Sequence, residues 1–192
     1  MDRELLQQGA ELILKGLDPV WREKPNLKES HYRMMRAYEE LADYDPQLID
    51  SELASVFPVK DDPGMVTLTN IEAVGLCPHH LLPVEYIVHV GYVPRKSAVG
   101  LSKLARVAVS MCKQLEIQEQ ITQDMAALLE DRLEPRGVIV VIRGRHGCMR
   151  FRGVKQENSW AVTSAVRGVF RDPKEQARSE FLALVADGGG RK

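Results

Sequence analysis

The chain has little cysteine, no excess of either charge and no long apolar run, and each absence narrows what it can be. Three cysteines in 192 residues are odd in number and too few for a disulfide framework, which points to a reducing, cytoplasmic setting. A formal net charge of -1, from 26 basic and 27 acidic residues, gives no electrostatic case for nucleic acid or an anionic membrane as the main partner. No stretch approaches the roughly 18 apolar residues of a membrane helix. The start, Met1-Asp2-Arg3-Glu4, leads into an amphipathic segment rather than the apolar core of a signal peptide. Internal repeats and low-complexity tracts are missing too. What is present, 44% hydrophobic and 28% charged residues, is ordinary for a globular protein. The length suits one large domain, or one domain with an appended helical arm.

Hydrophobic periodicity divides the chain in that second way. Leu5, Leu6, Ala10, Ile13 and Leu14 keep helical spacing up to Gly16, and Tyr32, Met35, Tyr38 and Leu41 do so after a capping Ser30. Residues 1–55 therefore read as a helical arm, 56–187 as the main domain and 188–192 as a disordered tail. In the main domain, Val66–Val74 alternates as a half-buried strand and Val84–Val93 is a second. Helices are expected at 102–115 and 118–133, the latter stopped by Pro135 and Gly137. The continuous run Val138–Ile142 predicts a strand covered on both faces. Further strands are expected at 149–154 and 160–169, and a last helix at 174–186. Strands joined by short turns favour antiparallel pairing with the long helices on one face, an α+β fold.

The chemistry is concentrated in two short clusters, Cys77-Pro78-His79-His80 and His146-Gly147-Cys148. Zinc takes thiolate sulfur and imidazole nitrogen, and catalytic zinc sites use three protein ligands with one position open. Cys77 and His80 have a spacing that one turn can present, and Cys148 can supply a third ligand from a neighbouring strand. His79 and His146 are then left beside the metal as groups that move protons near neutral pH. The long gap between the clusters is not a finger spacing. Cys112, on an apolar helix face, reads as core, and His31 and His89 as structural or exposed histidines.

Two weaker signals accompany these clusters. Gly100-Leu101-Ser102-Lys103 starts a helix, with Arg106 on the same face as Lys103, which suits a phosphate or simply a solvated surface. Arg150 and Arg152 alternate on the expected strand, again for phosphate or for solvent. Glu119 at the start of helix 118–133 either complements the helix dipole or points a carboxylate into a pocket.

These residues resemble the GTP cyclohydrolase I family from about Met65 to Val185. The resemblance lies in Cys77-Pro-His-His-Leu-Leu-Pro, Gly100-Leu-Ser-Lys-Leu-Ala-Arg, Gln118-Glu-Gln-Ile-Thr, His146-Gly-Cys-Met, Arg152-Gly-Val, Thr163-Ser and Phe181-Leu-Ala-Leu. The resemblance implies a tunnelling fold (T-fold), assembled as a ring of five that stacks into a decamer with active sites between subunits. It implies a zinc-dependent opening of GTP at C8, with formate and 7,8-dihydroneopterin triphosphate as products. Matched position by position, Cys77, His80 and Cys148 are zinc ligands, and His79 and His146 transfer protons. Glu119 anchors guanine with Gln118 beside it, and Ser102, Lys103, Arg106 and Arg152 bind the triphosphate. Arg33 falls loosely where the family has an arginine in a Thr-Pro-x-Arg helix.

The chain departs from the family pattern in two places. Pro78 stands where the family has glutamate, which removes a carboxylate able to orient a histidine or water and bears on rate and substrate preference. The segment before Val56 also lacks the usual Gly-Leu-x-x-Thr-Pro run. The alternatives left open are another purine nucleotide such as dGTP, a reaction stopping at the ring-opened formamide, and a non-catalytic nucleotide-binding relative.

Overall fold

The computed structural model describes residues 1–60 and 63–188. Residues 189–192, most of the expected disordered tail, lie outside the described part. The chain divides into two compact units, Met1–Asp43 and Tyr44–Lys192.

The first unit holds α1 (Arg3–Leu17) and α2 (Ser30–Leu41). Asp2 caps α1 by accepting from the Leu5 amide at 3.0 Å, and Ala10 and Leu14 are buried on its inner face. His31 is buried with its ring edge against Trp21, the centroids 5.4 Å apart. Ser30 is the first helical residue of α2 rather than its cap, a place taken by Glu29 without a side-chain bond. Arg33 is exposed on α2.

The second unit opens with a helix that periodicity does not announce, α3 (Pro46–Ala54). It is nine residues long, and Pro46 reads in sequence as the end of the previous helix. In the structure Pro46 takes the first turn, where its missing N–H costs nothing. Asp45 caps it by accepting from the amides of Gln47 at 2.9 Å and Leu48 at 3.1 Å. Ile49 and Leu53 enter the core. The unit boundary therefore falls before α3, not after it.

Next come β1 (Val56–Pro58), β2 (Val66–Leu76), β3 (Pro83–Val93), β4 (Ser97–Val99), α4 (Leu101–Met111) and α5 (Gln118–Leu133). The chain continues with β5 (Gly137–His146), the short α6 (Gly147–Arg150), β6 (Ala161–Gly168) and α7 (Ala177–Gly188). The main sheet is antiparallel in the order β2-β3-β5-β6, and β1 pairs with β4 in a small sheet of its own. This is the expected α+β arrangement.

Alternation along β3 drives the packing. Val84, Tyr86, Val88, Val90 and Tyr92 point to one face and are essentially fully buried with Leu104, Val107 and Met111 of α4 and Ile121, Met125 and Leu129 of α5. Each such side chain contributes about 1.5–3 kcal/mol by leaving water. The other face of β5 carries Ile139, which packs with Phe170 and Phe181 in a smaller cluster beneath α7. That second cover explains why β5 is apolar at successive positions. At Gly75 of β2 a Cβ atom would come within 2.1 Å of the Cys112 carbonyl oxygen at the end of α4. Glycine is what lets that helix end lie on the strand.

The segment 149–154 is not a strand. After α6 the chain turns back, with the Gln156 amide donating to the Met149 carbonyl at 2.8 Å. Arg150 and Arg152 consequently share no strand face. Arg150 reaches Glu85 at 3.1 Å, whereas Arg152 reaches His80.

His89 sits buried at a bulge in β2, its Nδ1 accepting from the Asn70 amide at 3.3 Å. Burial, helped by the charge of Arg143, holds its imidazole below the ordinary value. An unfolded chain binds that proton at about pH 6.5, so below this pH the unfolded state is favoured. Stability from this source is complete above about pH 7 and declines toward pH 5. Denaturation midpoints measured across that range are expected to fall with acidification, and less so in His89→Asn; parallel profiles for the two proteins would refute the linkage.

Candidate metal centre and nucleotide site

The hairpin between β2 and β3 presents the first cluster. Leu76 pairs with Pro83, so the intervening residues 77–82 form a closed loop. Cys77 donates its amide to Leu82 at 2.9 Å, and the Cys77 carbonyl accepts from Leu81 at 2.8 Å and His80 at 3.3 Å. In the turn from Cys77 to His80, Pro78 occupies the second position, where a fixed φ near −65° is favourable. Leu81 has φ +53°, the left-handed region, which leaves the loop with little freedom. The turn brings His79 Nδ1 to 4.0 Å and His80 Nδ1 to 3.8 Å from Cys77 Sγ. Cys77 is buried, while both histidines are exposed.

The second cluster arrives by strand register. Val84 of β3 faces His146 of β5, and α6 begins directly after His146, placing Cys148 two residues on, in its first turn. The donor atoms of Cys77, His146 and Cys148 all lie within 4.8 Å of one another. Cys148 is held above the ordinary thiol value by burial and by its contact with Cys77. A thiol that resists ionising next to a second sulfur is in a setting that a divalent cation relieves.

These donors fit zinc. With Zn–S near 2.3 Å and Zn–N near 2.0–2.1 Å, two ligands of one tetrahedral ion stand roughly 3.6 Å apart. The 3.8 Å between Cys77 Sγ and His80 Nδ1 is close to that separation. Two soft sulfurs with imidazole nitrogen also favour zinc over magnesium or calcium.

Near His146 lie Glu119, Gln118 and Tyr86. Glu119 is exposed in the first turn of α5, close enough to His146 to oppose the lowering of its imidazole by burial. Tyr86 lies beneath, its ring 6.3 Å from that of His146 and nearly perpendicular to it. Burial first, then the neighbouring cysteines and Glu119, raises the Tyr86 phenol far above its ordinary value, so it stays neutral. Gln118 is only 3% exposed, and its amide is committed inside the protein.

At the start of α4, Gly100 caps the helix without a side-chain bond, and Ser102 is exposed in the first turn. Lys103 and Arg106 share a face as expected, and both meet Glu52 of α3. Arg106 Nη1 donates to both Glu52 oxygens at 2.8 and 2.9 Å, and Lys103 Nζ lies 3.8 Å away. Sequence reasoning missed Glu52 because it missed α3. Arg152 Nη1 donates to His80 Nε2 at 3.2 Å. Arg33 belongs to the first unit.

Cys112 is fully buried at the end of α4, its thiol pushed up to about 12 by burial, as befits core. Among the described residues no helix is long and apolar enough to cross a membrane.

A solved structure of an archaeosine synthase, QueF-Like, in the apo form aligns with 56% of this chain and 97% of its own. The TM-score is 0.46 at 16% identity. In sequence, a model of the GTP cyclohydrolase I family matches residues 7–186. GTP cyclohydrolase 1 of Carboxydothermus hydrogenoformans is 39% identical over 191 residues, covering 96% of this chain and 95% of that one. The proteins of the same name from Pelotomaculum thermopropionicum and Aquifex aeolicus are each 40% identical, covering 96% of this chain and 97% of their own. Alike from end to end in these comparisons, and matched by the family model over nearly its whole length, the chain belongs to the GTP cyclohydrolase I family.

Proposed function

We propose that the protein is a zinc-dependent GTP cyclohydrolase I, hydrolysing GTP at C8 with release of formate and formation of 7,8-dihydroneopterin triphosphate. The observation that carries this reading is the convergence of Cys77, His146 and Cys148 donors within 4.8 Å, with Glu119 near enough to act on the His146 imidazole. Cys77, His80 and Cys148 hold the zinc, which when bound supplies Lewis acidity at neutral pH. His79 and His146 move protons at the purine, Glu119 accepts from the guanine N1–H and amine, and Ser102, Lys103, Arg106 and Arg152 receive the triphosphate. Arg33 is a further substrate contact. A second ligand set, with His146 in place of His80, is favoured by the same spacing.

We further infer a homo-oligomer, a decamer of two pentamers, located in the cytoplasm. The outer strands β2 and β6 carry Val74 and Val162, 40% and 61% exposed, as fits sheet edges that meet another subunit. Three free cysteines go with a reducing compartment.

The test is to incubate zinc-loaded protein with GTP and with dGTP and identify products by mass spectrometry. Formate with a pterin that fluoresces after oxidation supports the reading. A ring-opened formamide as the end product, or a clear preference for dGTP, would assign the site to the altered reaction. Tight GTP binding without turnover would reassign the chain to nucleotide binding.

Glu52 adds an expectation about affinity. Its carboxylate, itself largely covered, competes with phosphate for the half-exposed Arg106 and for Lys103, and an ion pair of this sort is worth on the order of 1 kcal/mol or less. Glu52→Gln is expected to lower KM for GTP by about two- to fivefold with kcat little changed. A raised KM would mean that Glu52 holds those cations in place for the substrate instead.

A further inference from the structure

The orientation of the buried Gln118 amide is dictated by its neighbours. Thr122 Oγ1 lies 2.7 Å from the Gln118 backbone carbonyl, which only accepts, so the Thr122 hydroxyl donates there. With its proton committed, Thr122 Oγ1 accepts from Thr163 Oγ1, 2.6 Å away. Thr163 Oγ1 in turn accepts from Gln118 Nε2 at 3.1 Å. The same amide nitrogen faces the carbonyl oxygens of Ile142 at 3.1 Å and Ala161 at 3.2 Å. Turned over, the amide would set its own oxygen against both carbonyls. Its nitrogen therefore faces inward, and Gln118 Oε1 faces His146 Nε2 at 2.9 Å. An acceptor at that distance requires the proton on Nε2. Gly144 keeps the contact open, since a Cβ there would stand 2.2 Å from Gln118 Oε1 and 3.2 Å from His146 Nε2.

We infer that Gln118 is a positioning residue for His146 and not a contact for the nucleotide. It holds the ring in one orientation and in the tautomer protonated at Nε2, leaving Nδ1 as the nitrogen able to take a proton or a metal. Thr122 and Thr163 belong to the same device, because they fix which way the amide points. Both amide hydrogens are shared among three acceptors inside the chain, so none is left for a ligand. The consequence for turnover rests on the proposed function, whereas the tautomer is a property of the chain alone.

Two variants and a spectrum test this. Gln118→Met keeps the length and removes the amide; Gly144→Ala leaves Gln118 in place and displaces its oxygen. Both are expected to lower kcat for formate release by about 10–100-fold, the usual cost of losing a partner that orients a working histidine. KM and the dissociation constant for GTP should stay near wild type. Solid-state 15N spectra of protein labelled in the histidine rings, with His146 identified by its loss in His146→Asn, should show Nε2 protonated and Nδ1 bare. In Gln118→Met the proton should be shared between the two nitrogens. A wild-type spectrum with the proton on Nδ1 overturns the inference, even where a variant fails to fold. So does a Gln118→Met protein with weakened GTP binding and unchanged kcat and spectrum. Absence of turnover in wild type would sink the functional reading and leave the spectral test standing.

Discussion

Cys77→Ser is expected to abolish zinc binding and formate release together. Cys77 directly follows β2 in a buried position, 3% exposed, and its sulfur is the atom on which both clusters converge. A serine hydroxyl at that place does not ionise near neutral pH and is a poor ligand for a borderline-soft ion. The remaining donors are too few for a catalytic site. Losing several kcal/mol of Lewis-acid stabilisation corresponds to a fall in turnover of about 10³-fold or more. Metal content by mass spectrometry after gel filtration, read beside formate release, checks both halves. Zinc retained at the wild-type ratio would refute Cys77 as a ligand. Because the substitution is small and the surrounding loop is tied by backbone bonds, the fold should survive it.

The second large effect separates two histidines. His146→Asn is expected to keep its zinc and lose about 10²–10⁴-fold in kcat, the range for a general acid or base. His80→Asn is expected to lose the zinc. The geometry gives each residue a claim to the metal. His80 Nδ1 stands 3.8 Å from Cys77 Sγ, and its Nε2 receives a hydrogen from Arg152. A metal held on Nδ1 would keep the proton on Nε2, and the contact with Arg152 would then have to open, leaving Arg152 available for the phosphate role proposed for it. His146 is anchored instead by Gln118 and lies within the three-donor group. Zinc lost from His146→Asn and kept by His80→Asn would make Cys77, His146 and Cys148 the ligand set.

Pro78 acquires a physical role at the turn. It occupies the second position of the Cys77–His80 turn, where its ring removes freedom from the unfolded loop. The proline adds to the constraint that the loop's backbone bonds and the left-handed Leu81 already impose.

Much of the fold was legible in the sequence because its signals are short in range. Alternation along β3 and the 3.6-residue spacing of α5 each report which face is buried, and α5 runs from Gln118 to Leu133 as the pattern requires. The signal failed where an element was short or capped unexpectedly. α3 was hidden behind Pro46, and with it Glu52, the partner of Lys103 and Arg106. The stretch after Cys148 reads as a strand on which Arg150 and Arg152 would share a face, yet the chain turns there and sends them to different partners.

The sequence by itself determined the chemistry available: two sulfurs, neighbouring imidazoles, and a set of charged groups near helix starts. Only the tertiary structure decided how that chemistry is arranged. The pairing of Leu76 with Pro83 and of Val84 with His146 brings Cys77 beside Cys148, across some seventy residues of chain. The direction of the Gln118 amide, and through it the proton on His146, depends on carbonyls from β5 and β6 that no local pattern reports. Strand register and hydrogen-bond direction are properties of the packed whole, because each is set by which distant backbone groups are left to satisfy.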